Sequence, residues 1–208
     1  MAARSGTKSS SGRKRTDTRT DAIKLLKQDH QEVRDLFRRF DAAGDRAHKS
    51  KAKIVGQLIE ELSRHSAIEE QIFYPAARNV MKDEDVVLES LEEHHIVKWT
   101  LSELDGMDPQ DERFDAKVTV LKELVLHHAK EEEQDMFPKI RKALSPADLR
   151  DLGEQMERAK KAAPTHPHPR SPDEPPGNIV AGAAAAIVDR GRDVVRDVLK
   201  RRPEDKTA

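Results

Sequence analysis

The chain has 208 residues, 37% of them charged and only 3% aromatic, with a formal net charge of −1. That balance fits one helical domain with extensions, an aliphatic core and charged outer faces, and it gives no general electrostatic drive toward nucleic acid or anionic membrane. The chain lacks cysteine, so disulfides, zinc–thiolate sites, iron–sulfur clusters and cysteine nucleophiles are excluded.

Residues 1–20 are mostly Ser, Thr, Gly, Lys and Arg, and are expected to form a disordered basic tail without a signal-peptide core. The Arg13-Lys14-Arg15 cluster reads as part of that solvated tail and not as a specific nucleic-acid site. No stretch has the length and apolarity of a transmembrane helix, and the cytoplasm is the expected compartment.

A helical period begins at Asp21, a candidate N-cap, and places Ile23, Leu26, His30, Val33, Phe37 and Phe40 on one stripe, with a stop near Gly44. The second predicted helix, about 48–78, carries Ile54, Leu58, Leu62, His65, Glu69 and Phe73 in phase. The third, about 83–106, carries Val87, Leu91, His94, Val97, Leu101 and Leu104, and a loop through Pro109 follows. The fourth, about 111–143, carries Phe114, Val118, Leu121, Val125, His128, Glu132 and Ile140. Pro75 and Pro138 lie late in their helices and predict a local bend or break. Ser145-Pro146 caps a shorter helix over 144–163. Residues 164–178 form a Pro-rich linker, extended and free of secondary structure, in which His166 and His168 read as adventitious. Residues 179–208 hold an amphipathic helix with Ile187, Val188, Val194, Val195, Val198 and Leu199, expected to dock on the bundle or a second copy, or to attach to a membrane surface.

The halves of the bundle repeat one pattern. His65-Ser-Ala-Ile-Glu69 leads to Phe-Tyr-Pro75, and His128-Ala-Lys-Glu-Glu132 leads to Met-Phe-Pro138; Asp29-His30 and Glu93-His94 precede them. Residues four apart share a helix face, so each His-x3-Glu pair offers a nitrogen and an oxygen to one point. An ionised Glu in an apolar stripe costs several kcal/mol unless a positive charge meets it. Four imidazoles and two carboxylates suit two divalent ions, iron, manganese or zinc, with the carboxylates able to bridge them. The doublets His94-His95 and His127-His128 leave a register choice; aligning the halves favours His94 and His128, and His95 and His127 remain the alternatives. Glu70, Glu131 and Glu133 are expected to face solvent or support the ligands. Core packing is expected for Trp99 and Tyr74, with redox tuning or a hydrogen bond to a bound oxygen species the other role for Tyr74.

These motifs resemble those of the hemerythrin-like HHE cation-binding family over about residues 21–143. The resemblance implies an all-α, up-down four-helix bundle with a short fifth helix and a separate C-terminal helix. It also implies a non-haem pair of iron ions, bridged by the two Glu and an oxo or hydroxo group, with His30, His65, Glu69, His94, His128 and Glu132 as ligands. Oxygen-carrying members use His-x3-His on the third helix, where this chain has Lys98 four positions after His94; they use His-x4-Asp on the fourth, where it has His128-x3-Glu132. Four imidazoles in place of five leave open positions. They favour reaction with dioxygen-derived species or nitric oxide, with catalase-like removal of peroxide as the enzymatic version. A sensor or iron-binding module is the alternative, ahead of reversible oxygen storage. The expected partner is a small diatomic or peroxide ligand, with self-association or surface attachment through the last helix.

Overall fold

The computed structural model describes residues 20–81 and 85–201, with the backbone alone from residue 190 onward. All but Thr20 of the basic tail expected over 1–20 lies outside the described residues. Eight α-helices are described: α1 (Ala22–Asp41), α2 (His48–Ile68), α3 (Tyr74–Val80), α4 (Asp85–Leu104), α5 (Phe114–Glu131), α6 (Phe137–Ala143), α7 (Pro146–Ala162) and α8 (Gly177–Arg201). π-Helical segments, Glu69–Phe73 and Glu132–Met136, join α2 to α3 and α5 to α6 into two long rods. Among the described residues there is no strand.

Local chemistry sets the helix ends. Asp21 accepts a hydrogen bond from the Lys24 amide at 2.9 Å and starts α1. Ser145 and Asp148 form a reciprocal capping box at α7. Gly106 closes α4 at φ 86°, where a side chain would be strained.

Four rods close a ring in which every neighbouring pair is antiparallel. Arg39 meets Gln57 between α1 and α2, and Lys98 meets Glu70 between α4 and the second rod. Lys117 pairs with Glu103 between α5 and α4, and Asp41 with Lys122 between α1 and α5. The predicted apolar stripes all face inward. They make two clusters, one around Phe37, Leu58, Leu101 and Leu121, the other around Ile23, Phe73, Val87 and Phe137. The candidate ligands occupy the layer between these clusters.

The bend expected at each proline is a widened turn. Pro75 has no amide to offer the carbonyl four residues back, and its ring would clash there. The Tyr74 amide instead reaches back five residues to the Glu69 carbonyl, and the Phe137 amide does the same to Glu132. The extra residue lets consecutive side chains point inward, so Phe73 and Tyr74 are both buried, as are Met136 and Phe137.

α7 packs across α1 and α2. Its Gly153 lies where a Cβ would come within 2.4 Å of the Thr20 carbonyl and 2.8 Å of the Ala22 amide, so only glycine permits this approach. The Pro-rich segment has no regular helix up to residue 176, α8 starting at Gly177 inside the span expected to be extended, and it is fastened down. The amides of Thr165 and His166 donate to Asp189 Oδ2 on α8, each at 3.1 Å. His166 is buried and bonds Asp105 at 3.0 Å; it is a structural tie, contrary to the expectation that it is adventitious. The first turns of α8 dock through Asn178, Ala186 and Asp189, while Ile187 and Val188 stay exposed. Trp99, expected in the core, is exposed; Val97, Lys98 and Leu101 occupy the inward positions of that turn.

Candidate metal centre

Each rod contributes to one buried polar layer. His30 comes from α1, His65 and Glu69 from the second rod, His94 from α4, and His128 and Glu132 from the fourth. None is more than 6% exposed. His95 and His127 point outward, with side chains 46% and 64% exposed. The structure therefore brings together the six residues singled out by the repeat and leaves out the alternatives.

The donor atoms form two groups. His30, His65, Glu69 and Glu132 converge at one end, and Glu69, His94 and His128 at the other, each set of atoms lying within 4.8 Å of one another. Nε2 of His30 is 3.2 Å from Glu132 Oε2, and Nε2 of His65 is 3.1 Å from Glu69 Oε2. Glu69 Oε2 also lies 3.4 Å from His94 Nε2, and Glu132 Oε2 lies 3.7 Å from His128 Nε2. Each carboxylate thus reaches both ends. Tyr74 stands over the second end, its hydroxyl donating to Glu132 Oε1 at 3.1 Å and lying 3.2 and 3.3 Å from Nε2 of His94 and His128.

Behind the imidazoles lies a ring of carboxylates. Nδ1 of His30 donates to Glu133 at 2.9 Å, that of His94 to Glu70 at 3.0 Å, and that of His128 to Glu93 at 2.7 Å. Nδ1 of His65 faces Asp29 at 3.6 Å, long for a hydrogen bond. A carboxylate at Nδ1 keeps the proton there and leaves the Nε2 lone pair turned to the centre, the usual support for a metal-binding histidine. Cations stand behind this ring in turn. Arg34 holds Glu133, Lys98 holds Glu70, and Lys160 of α7 holds Asp29. Asp29 supports His65 and not the adjacent His30, and Glu93 supports His128 and not the adjacent His94. Sequence reasoning reached Glu70 and Glu133 only as residues facing solvent or supporting the ligands. It missed the cations, although Arg34 and Lys98 each stand four residues after a candidate His.

The electrostatics of the centre are unbalanced without an ion. Both oxygens of Glu69, Oε2 of Glu132 and Nε2 of His30 are buried without hydrogen-bond partners. Burial, reinforced by Glu132, pushes the Glu69 carboxyl well above the ordinary range. For Glu132 burial pulls upward too, but His128 and His30 outweigh it and hold this carboxyl low, so protonation is favoured at Glu69 over Glu132. Burial pushes His65 down to about 4 and His94 well below its ordinary value, the latter helped by His128. Burial also opposes protonation of His30, yet the neighbouring carboxylates of Glu132 and Glu133 win and raise it. Unpartnered lone pairs aimed at two points are the donor set that cations satisfy.

Residues 21–140 match the Hemerythrin HHE cation binding domain. The chain belongs to the hemerythrin HHE cation-binding family. It is 31% identical over 170 residues to an uncharacterized hemerythrin-like protein of Schizosaccharomyces pombe, covering 81% of this chain and 83% of that one. A protein of Nostoc sp. described as a DNA nickase is 26% identical over 136 residues, which cover 65% of this chain and 38% of that relative. Among solved structures, a hemerythrin HHE domain-containing protein from Mycobacterium kansasii superposes with a TM-score of 0.59 at 26% identity, covering 68% of this chain and 86% of that one. The family binds metal cations, and the His/Glu groups in this bundle are able to hold them.

Proposed function

We propose that this hemerythrin-like domain holds two iron ions and reacts with a small oxygen- or nitrogen-derived ligand, with removal of hydrogen peroxide as its activity. His30 and His65 would hold one ion, His94 and His128 the other, and Glu69 and Glu132 would bridge. The observation that carries the reading is Glu69, fully buried with neither oxygen hydrogen-bonded and set between the two imidazole pairs. Bound iron supplies one-electron chemistry between its ferrous and ferric states.

The chain's own groups do the rest. The Glu69 and Glu132 carboxylates would offset cationic charge inside the apolar bundle, and the outer carboxylates keep the imidazoles turned inward. A cavity of about 20 Å³, lined by all four imidazoles with Val33, Leu62, Val97 and Val125, has room for a molecule of water size. Its aliphatic wall keeps bulky reactants away. The Tyr74 hydroxyl holds its proton toward Glu132 Oε1, beside the His94 and His128 nitrogens. Iron-loaded protein should convert two peroxide molecules into two waters and one dioxygen, read with an oxygen electrode, and Glu69→Ala should abolish this. Loaded protein inert toward peroxide would remove the enzymatic reading.

A sensing role without turnover is the second reading, favoured by one contact chain. Asp173 of the Pro-rich segment pairs with Lys98, Lys98 with Glu70, and Glu70 with His94. A change of ligation at His94 would then reach the C-terminal segment. Under this reading, protease cleavage within 164–178 differs between metal-free and loaded protein; identical digestion counts against it.

A further inference from the structure

The ring of outer carboxylates is completed by cations at three places out of four. Lys98 lies 3.0 Å from Glu70, Arg34 lies 2.9 Å from Glu133, and Lys160 lies 2.9 Å from Asp29. The fourth carboxylate, Glu93, bonds His128, but among the described residues no lysine or arginine pairs with it. The cause lies in the fold. Asp29, its counterpart in the first half, receives Lys160 from α7, and α7 lies on α1 and α2; among the described residues no equivalent helix packs across α4 and α5.

What faces Glu93 instead is His127 and Glu131, one turn apart on α5, with Nε2 and Oε1 3.2 Å apart. The three side chains bring one donor atom each within 4.8 Å of one another. The counterparts of 127 and 131 in the first half are Arg64 and Ile68, so the repeat does not account for this trio. One imidazole with two carboxylates is a donor set for zinc, manganese or ferrous ions, with water filling the remaining positions on the exposed side.

We propose that Glu93, His127 and Glu131 form a separate solvent-facing divalent-cation site, in which the ion offsets Glu93 as Lys160 offsets Asp29. The site shares Glu93 with the support of His128 and so lies directly outside the buried centre. It does not depend on what the centre itself holds.

The test is equilibrium dialysis of the full chain against free Zn2+, with zinc per chain measured by mass spectrometry. Wild type should bind one more ion than the double variant His127→Ala/Glu131→Gln, whose changes fall at exposed positions and should leave helix content unchanged. His95→Ala, an exposed imidazole on the neighbouring helix, should retain the wild-type count. Equal counts in wild type and the double variant would overturn the assignment, as would loss of the ion in His95→Ala. The readout is a difference of one ion, so an error about the buried pair would change both totals and leave that difference intact.

Discussion

Replacing Glu69 with Gln should move stability in opposite directions with and without metal. In metal-free protein the side chain is fully buried, neither oxygen has a hydrogen-bond partner, and Glu132 lies against it. A buried acceptor left unsatisfied costs about 1–3 kcal/mol, and a carboxyl whose value burial raises adds to that cost near neutral pH, where the unfolded chain holds it ionised in water. The amide keeps the shape, removes the ionisable group and offers N–H donors to Glu132. Metal-free Glu69→Gln should therefore be more stable than wild type by about 1–2 kcal/mol, a rise of roughly 4–8 °C per kcal/mol in the midpoint of a small domain and less for a larger one. In loaded protein the same change removes the charged donor common to both ends. A metal present at a thousand times its dissociation constant stabilises by about 4 kcal/mol, and most of this should vanish. Urea unfolding followed by circular dichroism, with chelator and then with saturating Zn2+, reads both numbers without redox chemistry. A variant that loses stability equally in both conditions would mean that Glu69 is an ordinary structural group, and the reasoning would fail.

Gly153→Ala should destabilise by about 1–3 kcal/mol or more, because the new Cβ meets backbone atoms of residues 20–22 that have no rotamer to change; an unchanged melting midpoint would contradict this. Lys160→Met leaves Asp29 without its ammonium partner behind His65 and should weaken Zn2+ binding about tenfold at unchanged helix content. Equal affinity would show that Lys160 supports only the packing of α7. His30 and Glu69 both have values raised above their ordinary ones, so the metal-free protein carries protons that bound metal must displace. Affinity should fall as pH is lowered, and calorimetric heats should vary with the ionisation enthalpy of the buffer; heats that do not vary would refute proton release. Tyr74→Phe should fold with a loss of about 1 kcal/mol, since Phe137 occupies the equivalent place in the other half, and it should shift the absorbance of iron-loaded protein. An identical spectrum would show that the hydroxyl does not address the centre.

The bundle was legible because every apolar stripe carries its own period, and the candidate His and Glu residues lie in phase with it. Comparing the halves also separated His94 from His95 and His128 from His127, since neighbours on a helix differ by about 100° in direction. The supporting contacts were not legible. Asp29 and Glu93 each serve the imidazole of the next rod, a pairing fixed by how the helices stack. Lys98 looked like a departure from an oxygen carrier's ligand, whereas in the structure it anchors Glu70 and takes the inward position that Trp99 lacks. The widened turns follow from Pro75 and Pro138, but a proline alone does not say whether a helix kinks, ends or gains a residue. The fastening of the Pro-rich segment depends on Asp189, far along the chain, and composition could not reveal it.

The C-terminal segment covers one half of the repeat and leaves the other open. Lys98 and Glu70 keep only 9% and 6% side-chain exposure beneath Asp173, whereas Arg34 and Glu133 keep 32% and 23%. Water and dissolved salt therefore damp the field around His30 far more than that around His94. His65 and His128 show the reverse, since Asp29 keeps 10% side-chain exposure beneath Lys160 while Glu93 keeps 20%. A sequence that repeats itself thus shelters opposite members of its two imidazole pairs.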